Sequence, residues 1–266
     1  MLTQEIMGLL ALGVLWLNGL LVLVVAAKQL RSVWEVRARL VSARREGRLV
    51  SGVVKEGGPL AVRNVTQLGR AVTSGGPEQI LFTDGPQSFE VLGGVIETDG
   101  GEVRIAAAQP GLSEVWLAPA RADEAAACPS DEAFTEALGE ASTYKGYRRD
   151  VEVAVRPGDR VWVIGERDDD VLGPREEEPL LVSMVEPMAW AAGRARLLVG
   201  FLVAGTAGLV AVTALALQAP WFGTVSTIGG LLAVVYFLAI QPLGTAVRDA
   251  VRTPARRPLG GTWRRG

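Results

Sequence analysis

Ser142-Thr143-Tyr144-Lys145 has the spacing S-x-x-K, in which a lysine amine deprotonates a serine hydroxyl to make a nucleophile. In penicillin-binding proteins that motif opens a helix and is accompanied by S-D-N and K-T-G. Neither companion occurs here, and the match falls at the end of a predicted helix, so it reads as a surface loop. Asp168-Asp169-Asp170 followed by Glu176-Glu177-Glu178 would attract Ca²⁺ or Mg²⁺. An EF-hand loop needs alternating ligands, a central glycine and a distal glutamate, and adjacent carboxylates do not give that geometry. A solvated loop between two strands is the expectation. There is no histidine, and Cys128 is the one cysteine. These counts exclude imidazole acid–base chemistry, an intrachain disulfide and a Cys/His zinc site. Phosphate-loop, dinucleotide-binding and G-x-S-x-G motifs are missing. The residue types therefore favour a protein that is not an enzyme, with no catalytic residue, cofactor or metal expected.

The elements around these residues are dominated by residues 197–247, which contain no charged side chain. A spanning helix needs roughly 20 apolar residues. The stretch breaks once, at Gln218-Ala219-Pro220-Trp221-Phe222, and so divides into two spans, 197–217 and 223–247. Residues 194–247 are read as a transmembrane helical hairpin. Residues 7–27 form a third apolar run, with an acidic flank and full span length. They fit a retained anchor (1–27) better than a cleaved signal peptide. Asn18 lies in the middle of this span and Gln241 in the last one. Both are candidate intramembrane polar residues, and packing between helices is preferred to a transport role.

Residues 28–48 are basic, with apolar Leu30, Val33, Trp34, Leu40 and Val41 at helical spacing. They predict that the first span continues into an amphipathic juxtamembrane helix at the membrane surface. The candidate membrane-surface cations are Lys28, Arg31, Arg37, Arg39, Arg44, Arg45 and Arg48 here, Arg194 and Arg196 before the hairpin, and Arg248 and Arg252 after it. The positive-inside rule puts all of them in the cytoplasm only if the N-terminus is outside. The central domain and a basic tail (248–266) are then inside. Trp16, Trp190, Trp221 and Trp263 lie in or near membrane segments and suggest an interfacial aromatic belt; Trp116 and Trp162 suggest a domain core.

Residues 49–193 read as short strands near 49–55, 60–65, 79–83, 88–92, 102–107, 114–118, 151–155, 160–164 and 180–185. Turns are expected at Gly57-Gly58-Pro59, Gly75-Gly76-Pro77, Asp84-Gly85-Pro86 and Asp99-Gly100-Gly101. Residues 151–164 look like a hairpin, with alternating valines on both sides of Pro157-Gly158-Asp159. One helix is expected at 131–142, capped by Ser130 and carrying a stripe of Phe134, Ala137 and Leu138. The fold class is an integral membrane protein with three transmembrane α-helices plus a mainly-β soluble domain, a small barrel or sandwich with one helical insertion. Residues 49–193 hold 12 Lys/Arg against 25 Asp/Glu, about −13 net. A nucleic-acid partner is not expected of such a surface.

Lys145-Gly146-Tyr147-Arg148-Arg149, the valine alternation of 151–155, and Arg156-Pro157-Gly158-Asp159-Arg160-Val161-Trp162-Val163-Ile164-Gly165-Glu166 resemble the core of the GIDE domain. This is the beside-a-membrane (BAM) domain of the mitochondrial membrane ubiquitin ligases of the Mulan/MAPL type. Val50-Ser51-Gly52-Val53-Val54 resembles that family's opening strand, and the likeness would cover about residues 28–217. The family's ligases carry a zinc-binding RING, for which this chain lacks the cysteines and histidines, so ligase activity does not carry over. The resemblance implies a membrane-anchored β-rich module. The expectation is a bacterial inner-membrane, multi-pass protein. Its cytoplasmic GIDE-like domain would bind a protein partner or sense membrane state, with the lipid bilayer as its other contact and a homo-oligomer compatible with the spans. The alternatives are a membrane hydrolase using Ser142 and Lys145 or a metal at the acidic loops, and a subunit of an oligomeric channel or transporter.

Overall fold

A computed structural model describes residues 2–72, 78–175, 178–221 and 223–264. In chain order the elements are α1 (Leu2–Arg45), β1 (Leu49–Val54), β2 (Ala61–Val72), β3 (Gln79–Val91), β4 (Gly94–Thr98), β5 (Gly101–Ile105) and β6 (Ser113–Trp116). Then follow α2 (Pro119–Ala126), α3 (Asp131–Ala141), β7 (Tyr147–Val155), β8 (Arg160–Ile164), β9 (Glu166–Asp168), β10 (Val171–Gly173) and β11 (Leu180–Ser183). The chain ends with α4 (Pro187–Ala216), α5 (Thr224–Ala250), a 3-10 turn (Pro254–Arg256) and β12 (Thr262–Arg264). It divides into two compact units, Met1–Arg39 with Met188–Arg252, and Leu40–Pro187 with Thr253–Gly266.

The first unit holds the three helices long and apolar enough to cross a membrane. Their outward faces are apolar, with Leu10, Leu17, Val203, Leu231 and Leu238 exposed, as a lipid-facing surface requires. The inward faces interlock through small residues and buried polar bonds. A Cβ on Gly229 would lie 2.3 Å from the Ala216 backbone nitrogen, so α4 and α5 touch backbone to backbone there. The Tyr236 hydroxyl donates to the Gly205 carbonyl at 2.9 Å, and Trp16 Nε1 donates to Thr213 Oγ1 at 3.0 Å. Such bonds carry helix association in lipid, where apolar contact gives no net hydrophobic drive.

The helix expected to continue from the first span over 28–48 is the last part of α1, which runs unbroken to Arg45. No glycine, proline or polar insertion between Ala27 and Arg45 ends it. Leu30 and Val33 pack with Ala195, Leu198 and Val251, so that part of the apolar stripe meets protein.

In the second unit the strands form an eight-stranded sheet, β6-β11-β8-β1-β4-β5-β10-β9, and a four-stranded sheet, β12-β3-β2-β7. Inward valines from both, among them Val54, Val103, Val153, Val161, Val163 and Val182, meet in one core. Ser130 caps α3, accepting from the Ala133 N–H at 3.2 Å, and α3 buries Phe134, Ala137 and Ala141. Leu138 is only partly buried, against the same cluster.

Three strand-level expectations are corrected. Residues 151–164 are not a hairpin, because β7 pairs with β2 and β8 pairs with β1 and β11. The Pro157-Gly158-Asp159 turn exists, with Gly158 at φ +87°. It turns the chain from one sheet into the other, held by Gly158 N–H to the Val54 carbonyl at 2.9 Å and Val54 N–H to the Asp159 carbonyl at 3.0 Å. Alternation marks the buried face of a strand and does not choose its neighbour. Asp84-Gly85-Pro86 lies inside β3, where a register shift between Val65 and Gln67 of β2 absorbs it as a bulge. The segment after Arg252, expected as a basic tail, joins the β-domain, since β12 pairs with β3 and Leu259 and Trp263 are buried. Trp263 therefore belongs to the β-domain core and to no aromatic belt. Gly75-Gly76-Pro77 lies outside the described residues.

Candidate functional site

Ser142 ends α3, and its hydroxyl donates to the Leu138 carbonyl at 2.7 Å. The Lys145 ammonium lies over the Tyr144 ring, 5.9 Å from its centre. Ser142 is thus a helix-end hydroxyl spent on its own backbone. Ser142→Ala is expected to leave stability within about 0.5 kcal/mol of the native chain, read from denaturant midpoints, because the site is exposed.

Asp168, Asp169 and Asp170 form the exposed tip of the β9–β10 hairpin, a loop between two strands as expected, and Asp169 takes φ 49°. Arg167 ties the tip, its Nε donating to the Asp169 carbonyl at 2.9 Å. Glu176 and Glu177 lie outside the described residues, while Glu178 accepts from Arg48 at 3.0 Å. Among the described residues no three Cys, Asp or Glu come together as a metal site.

The largest concentration of buried polar chemistry lies where the C-terminal segment enters the four-stranded sheet. Arg63, on β2, is 1% exposed. Its guanidinium donates to Gln87 Oε1 at 2.9 Å, to the Arg257 carbonyl at 2.8 Å and to the Pro254 carbonyl at 3.4 Å. Its Nε has no partner. Burial pushes its pKa down, with Asp84 opposing, and arginine stays charged through such a shift. The cation therefore rests on neutral oxygens, two of them main-chain carbonyls of the C-terminal segment.

A second half-buried cation sits nearby. The Arg149 guanidinium lies 3.9 Å from the Phe82 ring centre and 4.3 Å from that of Trp263, a cation–π stack on two rings. Its Nε donates to Gln67 Oε1 at 2.8 Å, and Gln67 Nε2 donates to Asp84 Oδ1 at 2.7 Å. Asp84 Oδ2 accepts the Leu259 N–H at 2.6 Å, and Trp263 Nε1 donates to the Ala126 carbonyl at 2.8 Å. Burial lowers the Arg149 pKa also. With the Phe82 N–H donating to the Gly261 carbonyl at 3.0 Å, this is strand addition: main-chain bonds hold the segment and one aromatic pocket fixes its register.

Gln241 donates its amide to Asn18 Oδ1, so the two intramembrane polar residues are joined by one hydrogen bond across α1 and α5. Asn18 Nδ2 keeps no partner. Lys28, Arg31, Arg37, Arg39, Arg44, Arg45, Arg196, Arg248 and Arg252 are exposed, and Arg194 is half-buried. Arg48 differs, since its guanidinium is held by Glu46 at 2.6 Å and Glu178 at 3.0 Å.

Sequence reasoning missed Arg63, Gln67, Asp84 and Arg149 as a group. The available signal was Trp263, a tryptophan after Gly260-Gly261 in an otherwise charged stretch. No protein-family model, curated protein or solved structure matches this chain.

Proposed function

We propose that this chain is a non-catalytic, membrane-anchored interaction or sensing module, whose GIDE-like β-domain binds a protein partner on the cytoplasmic face of a bacterial inner membrane. The observation that carries this reading is the return of residues 253–264 to the β-domain that also precedes α4. Both ends of the helical hairpin thereby connect to one domain, which supports their lying on one side of the bilayer. The cations Lys28, Arg194, Arg196, Arg248 and Arg252 flank the spans on that side, which the positive-inside rule makes cytoplasmic.

Cys128, the one cysteine, makes the placement testable. In intact cells a membrane-impermeant maleimide is expected to leave it unlabelled, and in inverted vesicles to label it. Labelling from outside intact cells would overturn the topology. Crosslinked pull-downs of the full chain against a chain lacking residues 49–193 address the partner. Partners retained by the shortened chain would remove the interaction role from the β-domain.

A further inference from the structure

We infer that the groove between α1 and α5 is a binding site for one anionic phospholipid, with its phosphate on Arg248. The groove encloses about 210 Å³ and is graded from apolar to cationic. Leu21, Val22 and Val25 wall it on α1, and Gln29, Thr245 and Arg248 lie at its polar end. From residue 21 to residue 29 the helix rises about 12 Å, most of one bilayer leaflet's hydrocarbon depth. Lys28 on α1 and Arg248 on α5 are the first cations after the two uncharged runs, so the polar end lies at headgroup level. Gln241, lower in the groove, is taken up by Asn18.

Charge complementarity selects the occupant. Arg248 stands 3.8 Å from Asp249, but that carboxylate lies closer to Arg252, at 3.1 Å. The Arg248 fork, half-exposed, is left for an external anion, and guanidinium suits phosphate. Gln29 and Thr245 add neutral hydrogen-bonding groups at the level of a lipid's phosphate and ester groups. A free phosphate would have no use for the apolar wall, and an apolar helix would leave Arg248 unanswered. The inference rests on the three helices being spans and holds whichever face carries the β-domain.

The test is native mass spectrometry of the full-length protein, purified in detergent, stripped of lipid, and titrated with phosphatidylglycerol or phosphatidylcholine. One phosphatidylglycerol is expected to bind at least about fivefold more tightly than phosphatidylcholine, the preference of roughly one interfacial cation. Arg248→Gln is expected to bring the ratio near one. Val25→Trp, which fills the groove, is expected to weaken both lipids. Arg31→Gln, at an exposed cation paired with Glu35, is expected to keep the ratio. An unchanged ratio in Arg248→Gln would overturn the site. An equal loss in Arg31→Gln would replace it with diffuse surface charge. Inorganic phosphate that binds the stripped protein equally well with and without Val25→Trp would replace it with a free-anion site.

Discussion

Arg63→Met is expected to free the C-terminal segment and to raise the labelling rate of the Cys128 thiol about a hundredfold. Cys128 packs partly buried against the cluster that contains Phe82, Phe134 and Trp263, so its reactivity reports opening there. The magnitude follows from what the substitution leaves behind. Exchanging a whole buried ionic group for apolar residues is often harmless. Here only the cation goes, and the carbonyls of Pro254 and Arg257 and the Gln87 amide remain without their donor. A hydrogen bond from a charged donor is worth about 1.5–3 kcal/mol, and Gln87 and Arg257, being exposed residues, recover part of their loss from water. Part of that is offset because a desolvated cation with an orphaned Nε is itself unfavourable. A net loss of about 3 kcal/mol corresponds to the hundredfold opening. Arg63→Lys is expected to fall between, since an ammonium keeps the charge without the planar fork. A labelling rate unmoved by Arg63→Met would mean that the segment is held by β12 pairing alone.

Gly52→Ala is expected to destabilise the β-domain by about 3 kcal/mol, the upper range for forced overpacking. β1 is bonded to β8 on one edge and to β4 on the other. A Cβ at Gly52 would stand 2.4 Å from the Glu97 carbonyl oxygen, part of a backbone that cannot rotate away. The sheet would have to part at the strand joining its two halves. Gly58→Ala is the matched control, because a Cβ there meets nothing within 4 Å. The comparison needs only denaturant midpoints of the full-length protein. Equal midpoints for the two variants would show that β1 and β4 separate without cost.

These two sites show where the sequence was readable. The spans were legible because lipid imposes a long uncharged run, and α3 because Ser130 and two acidic residues mark a helix start. β8 was legible at both ends, since Pro157-Gly158-Asp159 and Gly165 bracket five residues of clear pattern. Strand partnership was not legible, because pairing of β7 with β2 depends on residues nearly a hundred positions apart. An arginine in a strand is usually exposed, and nothing beside Arg63 in the sequence marks it as buried. Only the distant carbonyls of residues 254 and 257 make its burial tolerable, and no local pattern announces them. The Arg-rich end read as a basic tail for the same reason: its charges are exposed at Arg256, Arg257 and Arg264, while Leu259 and Trp263 carry the contact.

The position of β12 also sets an order of assembly. Its residues emerge from the ribosome after α4 and α5, so the four-stranded sheet stays one strand short until both apolar helices have left the exit tunnel. Completion of the soluble domain thus waits on insertion of the hairpin. A chain whose hairpin stalls in the translocation machinery keeps Phe82 and Phe134 without Trp263 against them, an exposed aromatic surface that quality-control proteases can read as unfinished.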